Sequence, residues 1–435
     1  MRLVFPILLL ASPLAAQRPV PALVAEFDRL AAQPLWPGFS PGTTPLAIYD
    51  GERTWLIRHP APPAGFSESS GLRGARTVPG QHPDVRANTH VALAGIPTAT
   101  LLWPDHPVNL TRLAASLLHE TFHVYTAQAH PAWFGNEATL FTYPVTDSAA
   151  QRLQRLETEA FRQALLPKAP FACWASRAVA LREERAHLLG ADPMAYERGN
   201  DLNEGLATWI EWRASGAPLD SLIPRAGFGP EGVRLRAYAV GPAQAFLLDR
   251  LRPGWTEELS ADSSLTLDAL LSRAVRPISC RANFTARQRD SVASLAARET
   301  ASVLTTRAAL RRDFLARPGW QLVIELPVGS PLWPEQFDPW NLTPLADGEV
   351  LHQRHLRLGG ERGHLEVLDQ WALTSPAGAH PLFNGIRRVR FAGLAQRPAI
   401  TVRGDSVLVH ERGIDGNFTG MVVIEEGQTL TVRPP

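Results

Sequence analysis

The run His119-Glu120-Thr121-Phe122-His123 is the arrangement in this chain best suited to chemistry. Residues four apart share one face of a helix, so imidazoles at 119 and 123 could bind one Zn²⁺ ion together. Glu120 would then project beside the metal, where a carboxylate can take a proton from a bound water. With 13 histidines in 435 residues, roughly 0.02 chance matches to H-E-x-x-H are expected. The match also falls in a stretch that reads as helix from Asn109 to about Gln128. Leu110, Leu113, Leu117, Leu118 and Phe122 recur there at helical spacing, and neither Gly nor Pro interrupts positions 108–128.

A catalytic zinc needs a third protein ligand and an open position. A third histidine in the pattern H-E-x-x-H-x-x-G-x-x-H would require Gly at 126 and His at 129. The chain has Thr126 and Ala129, with His130 one residue out of register. The other source is an acidic residue on a second helix. Asn203-Glu204-Gly205-Leu206-Ala207 supplies one, in an apolar-periodic segment that suits a buried carboxylate ligand.

With these motifs the chain resembles the gluzincin group of zinc metallopeptidases, and distantly the aminopeptidase N family. There H-E-x-x-H is completed by the Glu of an N-E-x-x-A motif, matched here by Asn203 to Ala207. A later Tyr in a Y-x-x-G-A-like segment stabilises the oxyanion in that family, and Tyr238-Ala239-Val240-Gly241-Pro242-Ala243 is similar to it. The resemblance covers three short motifs within residues 119–243 and implies a zincin-like fold. It also implies Zn²⁺ on His119, His123 and Glu204, with Glu120 as general base and Tyr238 assisting the oxyanion. The segment 124–203 is longer than the helical hairpin that separates these motifs in the family. The G-x-M-E-N motif that holds a substrate amino terminus there is missing. The resemblance therefore implies the metal chemistry and not aminopeptidase specificity.

Other residues complete the expectation. Glu197, Glu204 and Glu211 are seven apart and share a face if their helix is continuous. Buried unpaired carboxylates are expensive, so Glu197 and Glu211 read as solvated or paired surface carboxylates, with Arg198 or Arg213 as partners, or else as lining the pocket. A metal-bound imidazole usually donates its second N–H to a carboxylate or carbonyl, and Asp201, Asn203 and Thr208 are candidates for that role. Tyr196 and Tyr125 are weaker rivals to Tyr238, with Tyr125 expected to pack behind His123. The remaining eleven histidines form no ligand spacing and read as exposed or hydrogen-bonded imidazoles. Thr98–Trp103 reads as a strand, either an edge that pairs with an extended peptide or an internal one.

The elements that must position these groups fall into two textures. The first begins with a helix at 20–30, then a hairpin of 46–49 and 54–57 around Asp50-Gly51, a loop from Pro60 to His82, and one or two strands between Thr89 and Trp103. Helices are expected at 109–128, 148–166, 176–189, 199–214 and 232–252. A long one follows from Thr285 to about Leu315, with Asn283 as a possible cap. After Arg317-Pro318-Gly319 strand signals dominate: 321–326, 350–358, 364–368, 386–391, 400–402, 407–409, 421–424 and 430–432, with a turn at Gly404-Asp405. The expected class is α+β: a mainly helical zincin-like catalytic domain with a small N-terminal sheet over 17–317, then an all-β domain over 318–435.

Composition narrows the function classes. The chain has 43 basic and 42 acidic residues, and the basic ones are scattered without a run of five. Nothing there suggests a nucleic-acid surface. Met1-Arg2, an apolar stretch to Leu10 and the small residues up to Ala16 match a secretory signal peptide at 1–16, with no later run long enough to span a membrane. An exported chain, periplasmic or extracellular, is therefore expected. Its two cysteines, Cys173 and Cys280, could pair in an oxidising compartment, although spacing alone does not decide it. The expected activity is hydrolysis of peptide bonds in a peptide or protein substrate. The alternative is an exported binding or scaffolding protein with a structural or vestigial zinc site.

Overall fold

The computed structural model describes residues 18–276, 279–338 and 341–435; the expected signal peptide at 1–16 lies outside them. The architecture is α+β with a strand-rich C-terminal region. It opens with α1 (Val20–Ala31) and a sheet of six strands: β1 (Leu46–Tyr49), β2 (Arg53–Ile57), β3 (Ser67–Glu68), β4 (Arg76–Pro79), β5 (Thr89–Leu93) and β6 (Ile96–Leu102). Their order is β3-β4-β2-β1-β6-β5, antiparallel except for the parallel β1–β6 pair. The hairpin at Asp50-Gly51 forms as read, and the Asp50 carboxylate accepts the Glu52 and Arg53 N–H groups. β5 and β6 are joined by Ala94 and Gly95, both at positive φ (46° and 79°), the requirement of a tight two-residue hairpin turn. The expected loop from Pro60 to His82 instead contains β3 and β4. These are short, polar strands at one end of the sheet, with β3 the edge, and they lack the apolar alternation that marks a half-buried strand.

The site-bearing helix α2 spans Leu110–Ala129 and starts where the Asn109 side chain accepts the Arg112 N–H at 3.1 Å. Its apolar side (Leu113, Leu117, Leu118, Phe122) packs into the main core with Leu46, Ile48, Ala99 and Leu101 from one face of the sheet. There follow α3 (Ser148–Leu165), α4 (Phe171–Leu189), α5 (Ala191–Asn200) and α6 (Leu206–Ser215), then α7 (Val233–Leu251) and two short helices that the sequence reading missed, α8 (Trp255–Ala261) and α9 (Leu267–Val275). α5 and α6 are continuous through a π-helical turn, Asp201–Gly205. A disulfide joins Cys173, near the start of α4, to Cys280 beyond α9.

The long helix α10, Ala286–Leu315, is capped by Thr285 and not by Asn283. The Thr285 side chain accepts the Gln288 N–H while Gln288 returns to the Thr285 N–H, a reciprocal capping box. Beyond α10 come two sheets, seven-stranded and six-stranded, whose facing sides form a second core including Leu322, Ile324, Leu358, Val367, Phe391 and Phe418. The run read as one strand at 350–358 is two, Val350–His352 in one sheet and His355–Gly360 in the other. Strands at Trp333–Phe337, Leu342–Pro344, Ala372–Pro376 and Ile414–Thr419 were not read, while the Gly404-Asp405 turn forms with Gly404 at φ 58°. Among the described residues, no helix is long and apolar enough to cross a membrane.

Candidate metal centre

α2 and the π turn face each other, and this brings three donor atoms together. His119 Nε2 and His123 Nε2 are 3.0 Å apart, and Glu204 Oε2 lies 3.7 Å from the first and 3.3 Å from the second. Ligand atoms about 2.0–2.1 Å from a tetrahedral zinc stand about 3.3 Å from one another, and these separations bracket that spacing. All three side chains are buried.

Local backbone explains the convergence. A π turn carries one extra residue per turn and is frequent at functional sites. Here it holds Glu204 in its fourth place. Its first residue, Asp201, is tied behind the site, where its carboxylate accepts Arg182 Nη2 at 2.7 Å and Gln244 Nε2 at 2.9 Å. α7 crosses the turn at two glycines. A Cβ on Gly241 would come within 2.6 Å of the Gly205 Cα, so any side chain there would drive the helices apart. This close approach sets Tyr238, nearly one turn earlier on α7, beside the ligands. Pro242 also removes the N–H that would have bonded the Tyr238 carbonyl.

Burial and close opposite charges set the electrostatics of this cluster. Glu120 is 9% exposed, and its carboxyl is pushed up chiefly by burial. Burial opposes charge on His119 too, but the carboxylates of Glu204 and Glu211 outweigh it and raise the imidazole to about 10. Burial likewise opposes charge on Glu204, and the two imidazoles overcome it, holding this carboxyl well below the usual range. Three carboxylates surround the two imidazoles, with the Arg234 guanidinium on Glu204, and a divalent ion bound here would displace the imidazole protons.

Tyr238 is half-buried, with its ring parallel to His119 at 6.1 Å between centres. Burial and the neighbouring Glu204 carboxylate push its phenol up, so it stays a donor. Of the expected carboxylates, Glu211 serves His119. Its Oε2 is 3.4 Å from His119 Nδ1, a buried nitrogen with no aligned hydrogen bond among the described residues, and its Oε1 accepts Ser116 Oγ at 3.1 Å. Asp201 faces away, Thr208 donates to the Glu204 carbonyl at 2.8 Å, and Asn203 makes no such contact, so none of these three serves a ligand imidazole. Glu197 is buried and bound by Arg185 and Arg236, while Arg198 pairs with Asp268. Tyr196 donates to Glu137 and Tyr125 to the Pro37 carbonyl, so both are engaged elsewhere.

Two further groups escaped the sequence reading. Arg234 donates to Glu204 Oε1 at 3.1 Å, which occupies the carboxylate oxygen not aimed at the imidazoles. Its only sequence signal is its place one turn before Tyr238. His90, on β5, has its ring 6.3 Å from His123 with the planes 27° apart. Of the two readings open for Thr98–Trp103, the internal strand holds: the segment falls largely in β6, between β1 and β5, and β5 is the edge. Compared with protein-family models, curated proteins and solved structures, the chain matches none.

Proposed function

We propose that the chain is an exported, zinc-dependent metallopeptidase of the gluzincin type, with a zincin-like catalytic region over 17–317 and a strand-rich domain over 318–435. The observation that carries this reading is the meeting of His119 Nε2, His123 Nε2 and Glu204 Oε2, all within 4.8 Å of one another, with Glu120 buried beside them. Zinc held by these atoms would supply a Lewis acid for the scissile carbonyl and would acidify a water.

The chain's own residues do the rest. Glu120 takes the proton of the attacking water at its carboxylate and delivers it to the departing amine nitrogen, a transfer favoured by its raised affinity for protons. Tyr238 donates its phenolic hydrogen to the carbonyl oxygen as negative charge develops there. Glu211 and Arg234 hold His119 and Glu204 in place from behind. The free edge of β5 accepts an extended peptide through main-chain hydrogen bonds. Export is supported by the leader pattern at 1–16 and by the Cys173–Cys280 disulfide, since such bridges persist in oxidising compartments.

The reading is tested by metal analysis together with digestion of a mixed peptide library. Wild-type protein should carry zinc and cleave. Glu120→Gln should carry as much zinc and lose cleavage by roughly a hundredfold or more. Equal cleavage by the two proteins would remove Glu120 from its role, and a protein that binds zinc without cleaving any peptide would favour the binding-module alternative.

A further inference from the structure

The free edge of the N-terminal sheet holds a side chain that the metal chemistry does not use. Among the described residues, β5 pairs with β6 on one side and with no strand on the other. Val91 and Leu93 pack on the outer face of the sheet with Leu56 and Phe66. His90 and Ala92 alternate with them and therefore point to the opposite face, toward α2. The register agrees, because His90 stands opposite Ala99, which lies in the main core. His90 is exposed, yet its ring comes to 6.3 Å from that of His123. It neighbours one imidazole of the pair, while the Tyr238 ring lies parallel to the other.

Resting on the metallopeptidase reading, we infer that His90 is a specificity-determining residue that selects an Asp or Glu side chain next to the scissile bond. A peptide added to β5 presents successive side chains to alternate faces. The one directly opposite His90 shares its face, at a Cβ separation of about 4.5–5.5 Å. Ala92, the next β5 residue on that face, is too small to fill the neighbouring space. The substrate side chain therefore meets an imidazole that makes no hydrogen bond or ion pair among the described residues. A carboxylate is the strongest acceptor for its N–H, whereas an apolar side chain would cover it without replacing the lost water.

The test compares wild type, His90→Ala and His90→Glu on a peptide library varied on both sides of the cleaved bond. Wild type should enrich Asp and Glu at one position. His90→Ala should keep its zinc, lose roughly tenfold in kcat/KM on those peptides, and change little on peptides with Ala at that position. His90→Glu should move the preference to Lys and Arg. In the Glu120→Gln background, where binding is read without turnover, the acidic peptide should bind roughly tenfold more weakly once His90 is Ala. Wild-type cleavage without acidic preference, or an unchanged profile in His90→Ala, would overturn the assignment while leaving the peptidase intact. Absence of cleavage by zinc-loaded wild type would instead overturn the peptidase reading, and this inference with it.

Discussion

Glu211 stands behind His119, 3.4 Å from the ring nitrogen Nδ1, while Nε2 faces His123 and Glu204. A carboxylate there keeps Nε2 as the lone-pair donor and raises its basicity. Glu211→Ala should therefore weaken zinc binding by roughly 10- to 100-fold, read by chelator competition, while the fold measured by circular dichroism stays unchanged. In the proposed mechanism Tyr238 acts on the substrate carbonyl and does not hold the metal. Tyr238→Phe should retain full zinc content and lower kcat by roughly a hundredfold with little change in KM. An equal loss in zinc content would make it a packing residue. The positions of the two imidazoles and of Glu120 were readable because one helix fixes all three. Glu211 was half readable: its seven-residue distance from Glu204 placed it on the right face, but the partner read for it was a nearby arginine and not His119. Arg234 and His90 were not readable, because what they do depends on which elements become neighbours.

At the scale of elements, the ligand turn depends on contacts behind it. The Gly205–Gly241 crossing brings backbone against backbone, so Gly241→Ala would force α7 away from Asp201 and Gly205. This change should cost roughly 1–3 kcal/mol of stability. It should also lose more activity than that destabilisation explains, because Tyr238 and Arg234 ride on the displaced helix. A π turn leaves no mark in apolar periodicity, so a plain helix was expected across 199–214. The strand-rich region has a separate vulnerability in His352, which is 1% exposed with its Nε2 3.3 Å from Thr374 Oγ1. Burial lowers this imidazole to about 3. Between about 3 and the ordinary value near 6.5 the unfolded chain binds the proton that the folded chain refuses, so stability falls as pH drops through that window. From pH 7.5 to 5 the loss should be about 2 kcal/mol by urea unfolding, and it should shrink in His352→Gln. An equal pH dependence in the two proteins would place the sensitivity elsewhere.

Across the whole molecule, two cores are linked, among the described residues, through α10 and through a cluster of aromatic contacts around Phe141. Phe141, at the end of the 3₁₀ turn Glu137–Phe141, meets Phe337 and Phe383 of the strand-rich region, and His380 Nε2 donates to the Ala138 carbonyl at 3.0 Å. Glu137 opens that turn and faces Arg234 at 3.7 Å, so this contact reaches the arginine that donates to Glu204. The change of texture after residue 317 was legible because strand-forming runs replace helical periodicity there. The contact across it was not, since Phe141 and Phe383 are distant in sequence and carry no shared pattern. The disulfide is likewise a matter of three-dimensional proximity. It spans a sequence separation of 107, and a loop of that size restricts the unfolded chain by up to about 4.7 kcal/mol. Cys173→Ser should lower the melting temperature while leaving zinc affinity within twofold. A large loss of zinc binding would instead mean that the bridge shapes the centre itself.

The proposed function requires two imidazoles on α2 and the carboxylate on the π turn to grip one divalent ion. Titration of metal-free protein with zinc against a calibrated chelator, in wild type and in Glu204→Ala, tests it most directly. The expected result is one tightly held ion per wild-type chain and affinity weakened by roughly two orders of magnitude or more in the variant. No bound zinc in wild type, or equal affinity in the two proteins, would contradict it.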